Sequence, residues 1–84
     1  MGVEQDLENY LVAELRDGGE FEASKLGADD NLISLGLLDS LLVLKLATFM
    51  EETFGIAIGD GDITTSNFES IAQMAALVER KRQG

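Results

Sequence analysis

The chain contains no cysteine and no histidine, and each absence removes chemistry. Without cysteine there are no disulfides, no thiolate nucleophile and no thiolate ligands for zinc. Without histidine the commonest general base near neutral pH is missing, and a Ser-His-Asp hydrolase cannot be assembled. Cations are scarce: six Lys and Arg stand against sixteen Asp and Glu, a formal net charge of -10. Nucleic acid and anionic membranes should repel such a chain, and basic protein surfaces are its natural partners. The folded chain also repels itself, so its stability is expected to rise with salt. No apolar run approaches membrane-spanning length, and the N-terminus Met1-Gly2-Val3-Glu4-Gln5-Asp6 is acidic where a secretory signal would be basic. Asp6 stands where a myristoylation signal wants Ser or Thr. Together these features predict a soluble, cytoplasmic monomer that does not insert into membranes.

What is present is one small domain's worth of chain. Its 84 residues, 45% of them hydrophobic, suffice for a single modest core over residues 1–84 and exclude a disordered sequence. Val3, Leu7, Tyr10, Leu11 and Leu15 recur at helical spacing, with Glu4, Asp6, Glu8, Asn9 and Glu14 largely on the other face, which predicts a helix from Val3 to Arg16 stopped by Asp17-Gly18-Gly19. Tyr10 reads as a core or boundary residue with its hydroxyl in water. Residues 17 to 39 form a connection longer than small domains usually tolerate. In it Phe21, Leu26, Leu32, Ile33 and Leu35 are spaced like anchors, and Asp29-Asp30-Asn31 is a candidate turn.

A second helix is predicted from Ser40 to Phe54, with Val43, Leu44, Ala47, Met50 and Phe54 toward the core. Leu41, Leu42, Lys45, Phe49 and Glu52 lie mostly on the opposite side, a face too apolar for ordinary solvation and therefore a candidate partner surface. The alternative is that loop residues such as Phe21 or Ile33 cover part of it. Gly55 ends this helix, Ile56-Ala57-Ile58 runs extended, and Gly59-Asp60-Gly61-Asp62 is an acidic turn with too few oxygen ligands for a calcium loop. No metal-ligating set is found. A last helix is predicted to begin at Ser66 or Asn67, where Ser66-Asn67-Phe68-Glu69 has the spacing of a capping box. Phe68, Ile71, Met74 or Ala75, and Val78 form its apolar stripe, and Glu79-Arg80-Lys81-Arg82 places cations at the negative end of the dipole.

The chain is organised around Gly36-Leu37-Leu38-Asp39-Ser40-Leu41, which closes the long connection and opens the most apolar helix. A hydroxyl at this point has two readings. Ser and Asp are favoured helix caps, and a helix N-terminus is equally a seat for phosphate. This stretch, followed after an apolar helix by Glu51-Glu52-Thr53-Phe54-Gly55-Ile56, resembles the acyl carrier protein family and its peptidyl and aminoacyl relatives, over nearly the whole chain. The resemblance implies an all-α, four-helix bundle of three longer helices and one short one, with a long first loop and a short third helix or turn around Asp60 to Thr64. It implies that Ser40 carries phosphopantetheine from coenzyme A, that Asp39 and Leu41 complete the attachment motif, and that cargo rides as a thioester on the arm. The missing cysteine agrees, since sulfur for a thioester must then arrive on a cofactor.

The resemblance further implies that the chain is a substrate and not an enzyme. Its implied partners are a phosphopantetheinyl transferase, an acyl- or aminoacyl-activating ligase, and a downstream acyltransferase or synthase. Leu42 and Lys45 depart from housekeeping fatty-acid carriers, which commonly have acidic or polar residues there for basic partner patches to read. The departure points to a dedicated pathway, polyketide or nonribosomal peptide synthesis among them. Pro is common in the family where this chain has Gly59, and the change is expected to loosen that loop. Two rival readings stand beside this one: an acidic interaction module of the same fold that never receives the arm, and an enzyme acting through Asp and Ser alone.

Overall fold

The computed structural model describes residues 2–17 and 27–83, with only the backbone of Arg16 and Asp17; Phe21 and Leu26, read above as loop anchors, lie outside it. The described residues form four α-helices and no strand: α1 (Val3–Asp17), α2 (Ser40–Phe54), α3 (Thr65–Phe68) and α4 (Ile71–Gln83). A single 3₁₀ turn, Asp60–Asp62, precedes α3. The architecture is the all-helical arrangement expected.

The core lies where the apolar stripes of the three longer helices meet. Leu7 and Leu11 of α1, Leu46 and Met50 of α2, and Ile71, Met74, Leu77 and Val78 of α4 are almost entirely shielded from solvent. Removing such side chains from water is the main favourable term in folding so small a chain. Leu32 from the long connection and Phe68 from α3 complete this cluster. Tyr10 lies at its edge and stacks on Phe49 with centroids 4.2 Å apart, and Phe49 meets Phe54 edge to face at 6.0 Å. This aromatic row seals the seam between α1 and α2. Burial first, and the nearby Glu14 carboxylate second, push the Tyr10 phenol above its ordinary value.

Three local expectations are corrected. The buried face of α2 consists of Leu42, Leu46, Ala47 and Met50, whereas Leu44 is 56% exposed and Leu42 only 9%. Four apolar residues in a row, Leu41-Leu42-Val43-Leu44, carry no periodic signal that would choose between adjacent stripes. The C-terminal region is two helices, not one beginning at Ser66 or Asn67. Thr64 caps α3, its Oγ1 accepting from the Asn67 N–H at 3.2 Å, and Ser70 Oγ accepts from the Gln73 N–H at 3.1 Å at the start of α4. The chain breaks between them because the Glu69 carbonyl accepts from the Leu32 N–H at 2.6 Å. Finally, of the described residues read as loop anchors only Leu32 is one: Ile33 is 41% and Leu35 58% exposed.

Candidate functional site

The loop before α2 is held from both sides. The Leu32 N–H reaches the Glu69 carbonyl, and the Ala72 N–H in the first turn of α4 reaches the Ala28 carbonyl at 3.0 Å, which satisfies one of the donors a helix start leaves unpaired. Asn31 Oδ1 accepts from the N–H groups of Ile33 and Ser34 at 3.1 and 2.9 Å, turning the chain in the way Asn side chains favour. The turn closes at Gly36, whose φ of +74° belongs to the left-handed region that glycine enters without steric cost. Leu37 and Leu38 then pack half-buried against the core and deliver the chain to α2.

At that helix start Asp39 and Ser40 divide their roles. Asp39 is the N-cap, extended at φ -122° and ψ 178°, and its Oδ1 accepts from the Leu42 N–H at 2.8 Å. Ser40 is the first helical residue and is exposed, and among the described residues its hydroxyl has no hydrogen-bond partner. A capping oxygen is therefore supplied by Asp39, which leaves Ser40 Oγ free at the positive end of α2.

Beside Ser40 opens a groove of about 540 Å³, within the range of small-molecule clefts. Its walls are Val43 and Leu44 of α2 on one side and Ile63, Thr64, Thr65 and Phe68 on the other, with Ile33 and Leu38 at the loop end. Threonine hydroxyls beside the apolar side chains of the lining, with Asp39 and Ser40 at its α2 end, suit a flexible chain that alternates amides with methylenes. An exposed, unpartnered serine oxygen at the mouth of such a groove fits a covalently tethered phosphopantetheine.

Of the residues read as a partner face, the structure brings most but not all to the surface. Leu41 is 62% exposed. Lys45 pairs with Glu14 of α1 at 3.1 Å and remains half exposed. Glu52 is exposed and Phe49 half-buried against Tyr10. Leu42 is withdrawn into the core, and Leu44, assigned above to the core, takes its place outside. The groove's second wall, Ile63 to Phe68, was not foreseen as part of the site. The cap spacing Thr64-x-x-Asn67 was the available signal for it. Among the described residues no helix is long and apolar enough to cross a membrane.

Comparison with known proteins places the chain in a family. Residues 9–78 match the family model described as a phosphopantetheine attachment site. The chain is 30% identical over 78 residues to the probable acyl carrier protein PigG of a Serratia species, covering 93% of this chain and 86% of that one. It is 29% identical over 75 residues to the D-alanyl carrier protein of Abiotrophia defectiva, covering 89% and 95% respectively. The exposed serine, the groove beside it and the match across most of the sequence lead to one conclusion: the chain belongs to the phosphopantetheine-bearing carrier proteins, which hold acyl or aminoacyl groups as thioesters.

Proposed function

We propose that Ser40 is the attachment residue and that the chain carries acyl or aminoacyl intermediates for a dedicated biosynthetic pathway in the cytoplasm. The observation that carries this reading is the division of labour at the start of α2: Asp39 caps the helix, so Ser40 Oγ is exposed and, among the described residues, uncommitted. In the loading step that oxygen attacks the phosphate of coenzyme A nearest the pantetheine. The Oγ–P bond forms, the pyrophosphate bond breaks, and the adenosine bisphosphate half leaves as the serine proton is lost. The arm supplies the thiol that this polypeptide lacks. The chain's own residues orient the tether: the Asp39 carboxylate fixes the first turn, and the groove walls offer the attached chain an apolar surface near its root.

Carriers of this family work with a phosphopantetheinyl transferase and with biosynthetic enzymes. For this chain the proposed loading enzyme is an acyl- or aminoacyl-activating ligase, and the proposed receiver an acyltransferase or synthase. The partner face comprises Leu41, Lys45, Phe49 and Glu52, with Leu44 in place of Leu42. Support comes from Leu41 and Leu44, two large apolar side chains left in solvent one turn apart beside Ser40, where water-exposed apolar clusters mark contact sites. Asp39 and Leu41 flank the serine as the rest of the attachment motif.

Incubation with coenzyme A and a broad-specificity transferase, followed by mass spectrometry, tests the proposal. The expected outcome is addition of one phosphopantetheine to the wild type and none to Ser40→Ala. A modified Ser40→Ala chain would place attachment elsewhere, and an unmodified wild type would leave an acidic interaction module of the same fold.

A further inference from the structure

The groove beside Ser40 has one wall on α2 and one at Ile63, Thr64, Thr65 and Phe68, which lie in the stretch 59–68. Among the described residues, no hydrogen bond or ion pair joins residues 59–68 to α2; the tie to that helix is one residue earlier, where the Ile58 N–H donates to Glu51 Oε2 at 2.8 Å. The polar ties that leave residues 59–68 run to the last turn of α4. Lys81 Nζ lies 2.6 Å from Asp62 Oδ2, and Arg80 Nη2 donates to Asn67 Oδ1 at 3.0 Å. The two anchor points are themselves joined, since Asn67 Nδ2 donates to the Asp62 carbonyl at 2.8 Å. Asp62 Oδ2 also accepts from the Gly59 N–H at 3.0 Å, so one carboxylate closes the turn and receives the lysine. Ile63, Thr64 and Thr65, which face the groove, lie between Asp62 and Asn67.

We infer that Lys81 and Arg80 are positioning residues for the groove: they fasten its outer wall to α4 and thereby set its distance from α2. This rests on the carrier reading only for the groove's purpose; the fastening itself is a property of the unmodified chain. Cations at a helix C-terminus have a simpler use in complementing the dipole, and the neighbouring Arg82 separates the two. It sits in the same turn with the same charge, but its partner is Glu79 of its own helix at 3.8 Å.

Hydrogen exchange on the full-length, unmodified chain, resolved by peptide, tests the inference, because local opening is read directly as faster exchange in the released segment. The double substitution Arg80→Ala with Lys81→Ala is expected to speed exchange over residues 59–68 about fivefold, the upper end for an exposed pair, with α1 and α2 unchanged. Lys81→Arg should behave as wild type, and Arg82→Ala should leave residues 59–68 untouched. Asp62→Asn cuts the same tie without altering the charge of α4 and should reproduce part of the effect even if the double variant folds poorly. Unchanged exchange over 59–68, an equal rise across all helices, or the same rise with Arg82→Ala would overturn the inference. Failure of the wild type to accept the arm would overturn the attachment reading instead, and would leave this one standing.

Discussion

If Asp39 caps α2 and Ser40 does not, the two residues should separate cleanly in stability. Replacing Asp39 by alanine removes the oxygen that accepts from the Leu42 N–H, a loss of about 1 kcal/mol for an N-cap. Replacing Ser40 by alanine removes a hydroxyl without a partner among the described residues from an exposed first-turn position, where substitutions usually stay within about 0.5 kcal/mol. In a domain of this size about 1 kcal/mol corresponds to roughly 4–8 °C in melting temperature. Urea and thermal unfolding followed by far-UV circular dichroism should therefore rank wild type and Ser40→Ala together, with Asp39→Ala below both. Asp39→Asn should fall near wild type, because Asn caps about as well as Asp. A Ser40→Ala cost equal to that of Asp39→Ala would refute this division, since it would make the serine a capping residue and its exposure incidental.

The face of α2 can be checked in the same way: Leu46→Ala, in the core, should cost about 2–5 kcal/mol, whereas Leu44→Ala, in solvent, should stay within about 0.5 kcal/mol yet slow transfer from the proposed ligase. Comparable destabilisation by both would place Leu44 inside. Acid should loosen the turn at Asp62. Hydrogen bonding from Lys81 first, and from the Gly59 backbone second, hold that carboxyl below its ordinary value of 3.8. A depressed value means that its contribution is complete above the ordinary value and is lost as pH falls from there through the folded one. Melting temperature should thus drop less steeply below about pH 4 in Asp62→Asn than in wild type, and parallel curves would refute the linkage.

Much of this molecule could be read from its sequence, for identifiable reasons. α1 has a clean alternation of apolar and acidic faces, and Gly55, at φ +69°, marks the end of α2 as its position suggests. Ser40 stands out in the sequence because the residues around it resemble a family motif. The orientation of α2 was not, because consecutive leucines make any stripe apolar and only packing against α1 and α4 selects Leu42 and Leu46. The break after Phe68 was hidden for a different reason: its cause is the Leu32 N–H, a partner distant in sequence, and local spacing favoured the Ser66 capping box that tertiary structure overrode. The fastening of Asp62 to Lys81 was likewise beyond the reach of a local reading, which took those lysine and arginine side chains for dipole partners alone.

The bond from Leu32 to Glu69 has a consequence for when the serine becomes available. During synthesis the loop before Ser40 is made ahead of its mooring at Glu69 and ahead of α4, against which Leu32 is buried. A nascent chain therefore leaves Ser40 without its framed loop until α4 has been made.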